Sequence, residues 1–360
     1  MIFIILLTLI ISGNIYLGFQ FHKFFPIRSR IFWIVILLSL TIVTQGAMFA
    51  FQTTATVGGQ ILFCVSAIFQ GVILYLLLST LLVNLLSIFK KIEPKIMGYL
   101  SLGLTALLIC YGILNASIPH VTRATIPIKG LTKEVKIVHL TDIHLGHFRG
   151  KNHLRKIVEI TNELNPDVVF QTGDLFDAKS RLSEDVLTPF KELKAKHYFV
   201  EGNHDKEVGV EQIKRMLKSI KINYLENEIA LFGELQIVGL KHMRADKNSF
   251  DLHVINGETI QDVLSQLPVD TTKPTIMLHH SPNGEVYAND LKIDLLLAGH
   301  THKGQLFPLT LIAEMFFAYN DGLHKYKDIN IYVSEGVGTM FTPMRIGTRS
   351  EISFITLVPE

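Results

Sequence analysis

The stretch VKIVHLTDIH (residues 135–144) decides the architecture of the larger part of this chain. Val135–Leu140 is a short β-rich run that stops at Thr141-Asp142-Ile143-His144, where a carboxylate and an imidazole replace aliphatic side chains. The same change recurs downstream. Asp167–Gln171 runs into Gly173-Asp174, and His197–Val200 runs into Gly202-Asn203-His204-Asp205. Thr275–Leu278 leads to His279-His280, and Ile293–Leu297 leads to Gly299-His300-Thr301-His302. Apolar runs that end in chemistry-bearing loops read as buried strands, and open α/β sheets build their sites at such ends.

Between these runs the apolar spacing predicts helices over Leu154–Leu164, closed by Asn165-Pro166, and over Ser183–Ala195, with Ser183 as N-cap. Two more are predicted over Val210–Ser219 and Glu258–Leu267. Short strands are expected near Ile222–Leu225 and Leu235–Leu240, with closing strands at Ile331–Val333 and Ile352–Leu357. Strands alternating with helices argue for an α/β layered fold with helices on both faces of the sheet.

Glycine stands immediately before Asp174, Asn203 and His300, where it lets the backbone turn sharply. Residues i and i+2 of an extended segment point the same way. Asp142 and His144 can therefore reach one cation together, and so can His300 and His302 if that stretch stays extended. Imidazole and carboxylate without thiolate suit manganese, iron or zinc rather than soft copper. Asp174 can bridge two cations, and Asn203 adds a neutral oxygen. Two divalent ions carry four positive charges, of which Asp142, Asp174 and a bridging hydroxide would remove three. The pocket stays positive, which suits an anionic phosphoryl group.

Composition divides the 360 residues in two. From Met1 to about Ser117 the chain is almost wholly apolar, and beyond His120 it has ordinary soluble polarity. The expected organisation is a transmembrane region over 1–118, a linker over 119–134 and a globular domain over 135–360. Four stretches are long enough for a hydrocarbon layer of about 30 Å: Ile2–Phe21, Ile31–Phe51, Ile61–Phe89 and Ile96–Ile118. The first lacks a positive leading segment, so it is read as a retained helix and not a cleaved signal. Lys23, Arg28 and Arg30 follow the first stretch, and Lys90, Lys91 and Lys95 follow the third, while Gln52–Gln60 is uncharged. Positive loops stay in the cytoplasm, so the globular part is expected on the extracytoplasmic side of the cell membrane. Arg123 and Lys129 run against this, but long domains count less in the rule. The spans hold uncharged polar groups such as Gln70 and Asn84 rather than charges, which reads as an anchor or bundle rather than a transport path.

The net charge of +2 averages two unlike halves, and no Lys/Arg run points to nucleic acid. The two cysteines, Cys64 and Cys110, lie in the apolar half, which excludes a disulfide framework or thiolate zinc site in the globular half. Oligomeric state is not legible.

Together the five motifs resemble those of the calcineurin-like metallophosphoesterase superfamily. They are similar to its membrane-anchored bacterial branch, with YkuE-type and YaeI-type phosphoesterases and the UDP-2,3-diacylglucosamine pyrophosphohydrolases. The tail from Gly336-Val337-Gly338 through Pro343-Met344-Arg345 to Glu351-Ile352 resembles that branch too. The likeness covers Val135 to the C-terminus and leaves the apolar half outside it. It implies a layered β-sandwich flanked by helices and two divalent metal ions. Asp142, His144 and His302 would hold one ion, Asn203, His279 and His300 the other, and Asp174 would bridge them. His204 would contact the phosphoryl oxygen or aid the leaving group, with Asp205 orienting it. The implied reaction is hydrolysis of a phosphodiester, phosphomonoester or pyrophosphate by a metal-bridging hydroxide, its water pKa lowered from ~15.7 toward ~7. A lipid-linked phosphate is the alternative substrate. A catalytically silent membrane sensor or assembly module is the alternative of another class, and its sign would be a missing ligand; none is missing.

Other polar residues have plainer readings. His139 is expected to be a packed strand histidine, and His197 a surface or near-site one. Asp177 could support the site or be a loop acid. Arg345 could grip substrate phosphate or make a structural pair, and His242 could border the pocket.

Overall fold

The structure is a computed structural model that describes residues 2–177, 182–249, 254 and 257–360, with side chains from residue 7 onward. Two compact units separate. One holds 1–114 and 341–344, the other 115–340 and 345–360.

The first unit is helical: α1 (Ile2–Phe24), α2 (Arg30–Phe51), α3 (Val57–Phe89) and α4 (Pro94–Ser117). Four helices stand where four apolar stretches were read. Among the described residues three, α2, α3 and α4, are long and apolar enough to cross a membrane. The start of α1 lies outside the described side chains, so a fourth span is not established. Uncharged polar groups join helices within this unit. Thr41 Oγ1 donates to Asn14 Oδ1 at 3.1 Å, Gln70 Nε2 to Thr44 Oγ1 at 2.9 Å, and Asn84 Nδ2 to the Tyr16 hydroxyl at 2.8 Å. Such bonds hold apolar helices together without a charge.

The second unit contains two six-stranded sheets. The first runs in the order β1 (His120–Ile128), β12 (Glu351–Pro359), β2 (Val135–Leu140), β3 (Val168–Thr172), β4 (Lys196–Val200), β5 (Asn223–Tyr224). The second runs β10 (Gly322–Tyr326), β11 (Ile329–Val333), β9 (Leu295–Ala298), β8 (Thr275–Leu278), β7 (Leu235–Gly239), β6 (Glu228–Phe232). The central strands β2 to β5 and β7, β8, β9, β11 are parallel, and antiparallel pairing enters at β12–β2, β6–β7 and β10–β11.

Alternation along each strand makes the layers. Ile137, Val168, Phe170 and Tyr198 of the first sheet share one core with Ile237, Ile276, Leu278 and Leu295 of the second, so the sheets pack face to face. Their neighbours Val138, Val169 and Phe199 face outward onto α5 (Lys151–Glu163) and α7 (Val210–Ser219). On the opposite side Val238, Met277 and Leu296 face α8 (Ile260–Leu264) and α9 (Glu285–Asp290). The unit is thus a layered β-sandwich flanked by helices, with one helical layer on each sheet rather than two on a single sheet.

The expected linker 119–134 needs correction. His120–Ile128 is β1, paired in parallel with all nine residues of β12. The region read as a helix over Ser183–Ala195 is a 3-10 segment, Asp185–Glu192, preceded by Glu184 rather than capped by Ser183.

Candidate metal centre

Each motif follows the C-terminal end of a strand: Asp142 after β2, Asp174 after β3, Asn203 after β4 at the start of α6 (Asn203–Val208), His279-His280 after β8, His300 after β9. Backbone bonds stitch these loops together. Asp142 N donates to Gly173 O at 3.1 Å, His144 N to Asp174 O at 3.0 Å, and Gly299 N to His280 O at 2.9 Å. The loops are not extended. Asp142, His144, Asp174, His300 and His302 all have φ between +46° and +71°. Non-glycine residues in this region cost on the order of 1 kcal/mol or more each, and such strain collects at functional sites. Gly202 and Gly299 are required by close approach: a Cβ on the first would strike Asp174 Oδ1, and on the second Asp142 Oδ2.

The left-handed turns send side chains into two neighbouring clusters. Asp142, His144 and His302 form one, with facing ligand atoms within 4.8 Å of one another. His302 Nε2 lies 3.0 Å from His144 Nε2 and 3.3 Å from Asp142 Oδ1. Asp174, His280 and His300 form the other; His280 Nε2 lies 3.1 Å from Asp174 Oδ2 and 3.1 Å from His300 Nδ1. Asp174 Oδ2 is also 3.8 Å from His144 Nε2, so its carboxylate faces both clusters. His300 and His302 go to different clusters, contrary to the pairing that an extended segment would give.

His279 is corrected by its neighbour. Its Nε2 accepts from Met243 N at 3.2 Å and its Nδ1 lies 2.8 Å from Ser281 O, so both ring nitrogens serve the backbone. His280, one residue on, faces Asp174. Asp205 is also corrected. Its fully buried carboxylate accepts from the N–H groups of Leu175, Phe176 and Gly202, at 3.0, 3.2 and 2.9 Å, and so pins the Asp174 loop. Asp177 stands near His204 instead, with Oδ1 3.4 Å from His204 Nδ1 and 3.6 Å from His144 Nδ1.

Do these residues fit cations? Asp142 Oδ1 and Asn203 Oδ1 are buried without a hydrogen-bond partner. Facing imidazole nitrogens at 3.0–3.1 Å leave at most one proton between each pair. Orphaned oxygens and converging ring nitrogens are what a pair of divalent ions would satisfy. Titration points the same way. Burial alone would lower His144, yet the nearby carboxylates of Asp142 and Asp177 raise it to about 10. Burial likewise opposes His280, but Asp174 raises it to about 9. Burial brings His302 down to about 4. One proton per cluster thus supplies positive charge that the carboxylates require. Burial, with the charge of Asp174, raises Asp205 to about 7.

Arg345 is fully buried and does not stand ready for substrate. Its Nη2 donates to the carbonyls of Glu335, Gly336 and Gly338 at 2.7, 2.9 and 2.9 Å, and lies 3.1 Å from His302 Nδ1. The same loop presses on the first cluster, since Gly338 N donates to Asp142 O at 2.7 Å. His139 packs in the sandwich with Nε2 2.8 Å from Thr172 Oγ1, as its strand position suggested. His197 is buried against Phe190. His242 is buried with its ring 5.5–5.9 Å from those of His279, His280 and His300.

Sequence comparison agrees with this geometry. Residues 135–304 match the model of the calcineurin-like phosphoesterase family. Phosphodiesterase YaeI of Escherichia coli is 30% identical over 236 residues, covering 62% of this chain and 82% of that protein. The chain belongs to the calcineurin-like phosphoesterase family. An uncharacterized metallophosphoesterase of Helicobacter pylori is 34% identical over 247 residues, 67% of this chain and 65% of its own length. A transmembrane protein with metallophosphoesterase domain from Danio rerio is 35% identical over 275 residues, 72% of this chain and 62% of its own. The chain thus spans somewhat under two thirds of the length of these last two relatives.

Proposed function

We propose that this chain is a membrane-anchored hydrolase of phosphate esters that works with two divalent ions, manganese, iron or zinc. The observation that carries the reading is the Asp174 carboxylate facing both ligand clusters. Asp142, His144 and His302 would hold one ion, Asn203, His280 and His300 the other, with Asp174 between them. When bound, the ions would supply Lewis acidity and make a water nucleophilic near neutral pH. His204 is held by its own N–H on Asp174 Oδ1 at 2.9 Å. With Nδ1 3.4 Å from Asp177 Oδ1, the His204 imidazole is assigned to meet a phosphoryl oxygen or give a proton to the departing alkoxide. The Asp205 carboxylate fixes the two loops that carry Asp174 and Gly202.

The apolar helices, the last of which ends at Ser117 with two residues between it and β1, support a second reading in which the phosphate is carried by a lipid. The basic loops at Lys23–Arg30 and Lys90–Lys95 support a multi-pass placement in the cell membrane with the second unit outside the cytoplasm. The test is hydrolysis of bis(p-nitrophenyl) phosphate by the detergent-purified full chain with and without added manganese. Metal-dependent turnover that is lost in Asp174→Ala supports the proposal; turnover indifferent to both removes it.

A further inference from the structure

Helix α10 (Leu309–Phe316) breaks the rule that a helix on a water-soluble unit turns its polar face outward. Thr310 and Ala313 are the buried positions. The outward positions are apolar: Leu309, Leu311, Ile312, Met315 and Phe316 are exposed, Met315 by 84% and Phe316 by 69%, and Phe307 just before the helix by 48%. Glu314 is the only charged residue of the helix. The second unit has ten exposed large apolar side chains among its described residues, and six of them fall in 307–316. Scattered apolar residues on a surface need no explanation, but a concentration of this kind marks an interaction surface.

We infer that this face of α10 docks onto membrane lipid beside the metal centre. Two facts favour lipid over a second protein. The chain carries apolar helices of membrane-spanning length, and only two residues separate the end of the last, Ser117, from β1, which would tether the second unit at a bilayer. The face is also made of Leu, Ile, Met and Phe, apolar side chains of the kind that a helix lying in the interface sinks into the acyl–headgroup boundary, Phe and Leu foremost. Eight residues are too few to cross a bilayer, so the helix rests on the surface. Its place gives the contact a use. The helix follows the His302–Gly304 turn, and the Phe317 ring at its end packs 5.8 Å from the His300 ring. Lipid held on α10 would bring its phosphate close to both clusters. The inference rests on the membrane reading of the first unit and deepens the lipid-phosphate reading, but its test does not require catalysis.

The experiment places a tryptophan at Met315 in a Trp33→Phe background, which removes the one native tryptophan, and reconstitutes the full chain in nanodiscs of phosphatidylcholine and phosphatidylglycerol. Leu231→Trp, exposed on β6, is the control. Brominated phosphatidylcholine should quench the Met315→Trp signal at least twofold more than that of Leu231→Trp. Equal quenching overturns the inference, as does a blue shift that follows protein concentration instead of lipid, which would indicate self-association. In parallel, Met315→Glu and Phe316→Glu should leave bis(p-nitrophenyl) phosphate turnover in detergent unchanged. If wild type shows no such turnover while quenching holds, the hydrolase reading fails and the docking surface stands.

Discussion

His280 directs Nε2 to Asp174 Oδ2 at 3.1 Å, while the adjacent His279 spends both ring nitrogens on the backbone of Met243 and Ser281. Substitution separates the two. His280→Asn should lose about one of two bound metals and at least ~100-fold in turnover, since ligand removal disables charge stabilisation worth about 2.7 kcal/mol or more. His279→Asn should keep both metals and instead lose about 1–3 kcal/mol of stability through the unpaired buried Met243 N–H. Metal content by mass spectrometry and thermal unfolding distinguish them; the reverse pattern would restore His279 as the ligand.

His204 is expected to act without holding metal. His204→Ala should slow turnover by roughly 10²–10⁴-fold with metal content unchanged. Asp177→Asn should give a smaller loss of the same kind. Loss of metal from His204→Ala equal to that from Asp174→Ala would remove its separate role.

Arg345 ties the 335–338 loop to His302. Arg345→Met leaves several carbonyl oxygens without a donor, each worth about 1–3 kcal/mol when buried. The expected result is a lower unfolding temperature and weaker metal retention by the cluster of Asp142, His144 and His302. Wild-type stability together with selective loss of turnover on bulky phosphates would instead make Arg345 a substrate contact.

On the proposed assignment, protons and metal would compete for His144 and His280. Their folded pKa values, about 10 and about 9, are raised above the ordinary 6.5. The stability they confer on chelated protein is therefore full below about pH 6.5 and is lost as pH rises through 9 and 10. Metal binding must displace these protons, so affinity should rise with pH and about two protons should leave per protein at pH 7.5. Calorimetry in buffers of different ionisation enthalpy counts them. No proton release would contradict the assignment of both histidines as ligands.

The strand ends and most ligands were readable because burial demands unbroken aliphatic runs, and the residues that interrupt them stand out. Four things were not. The choice between His279 and His280 depends on the turn after β8, where one residue reverses a side chain's direction, and sequence spacing does not fix that turn. Asp205 looked like a partner for His204 because it is the next residue, yet in the first turn of α6 adjacent side chains point apart and Asp205 reaches back to the backbone. Asp177 was the residue placed to meet His204, and its only signal was its position three residues after Asp174. Strand β1 is not legible in the sequence because its partner β12 lies more than two hundred residues away, and its edge position leaves four of its nine residues exposed.

The most direct test is anomalous X-ray scattering from the manganese-loaded protein. The account predicts two peaks about 3.5–4 Å apart on either side of the Asp174 carboxylate, one among Asp142, His144 and His302 and one among Asn203, His280 and His300. A single peak, or two that do not share Asp174, would contradict it.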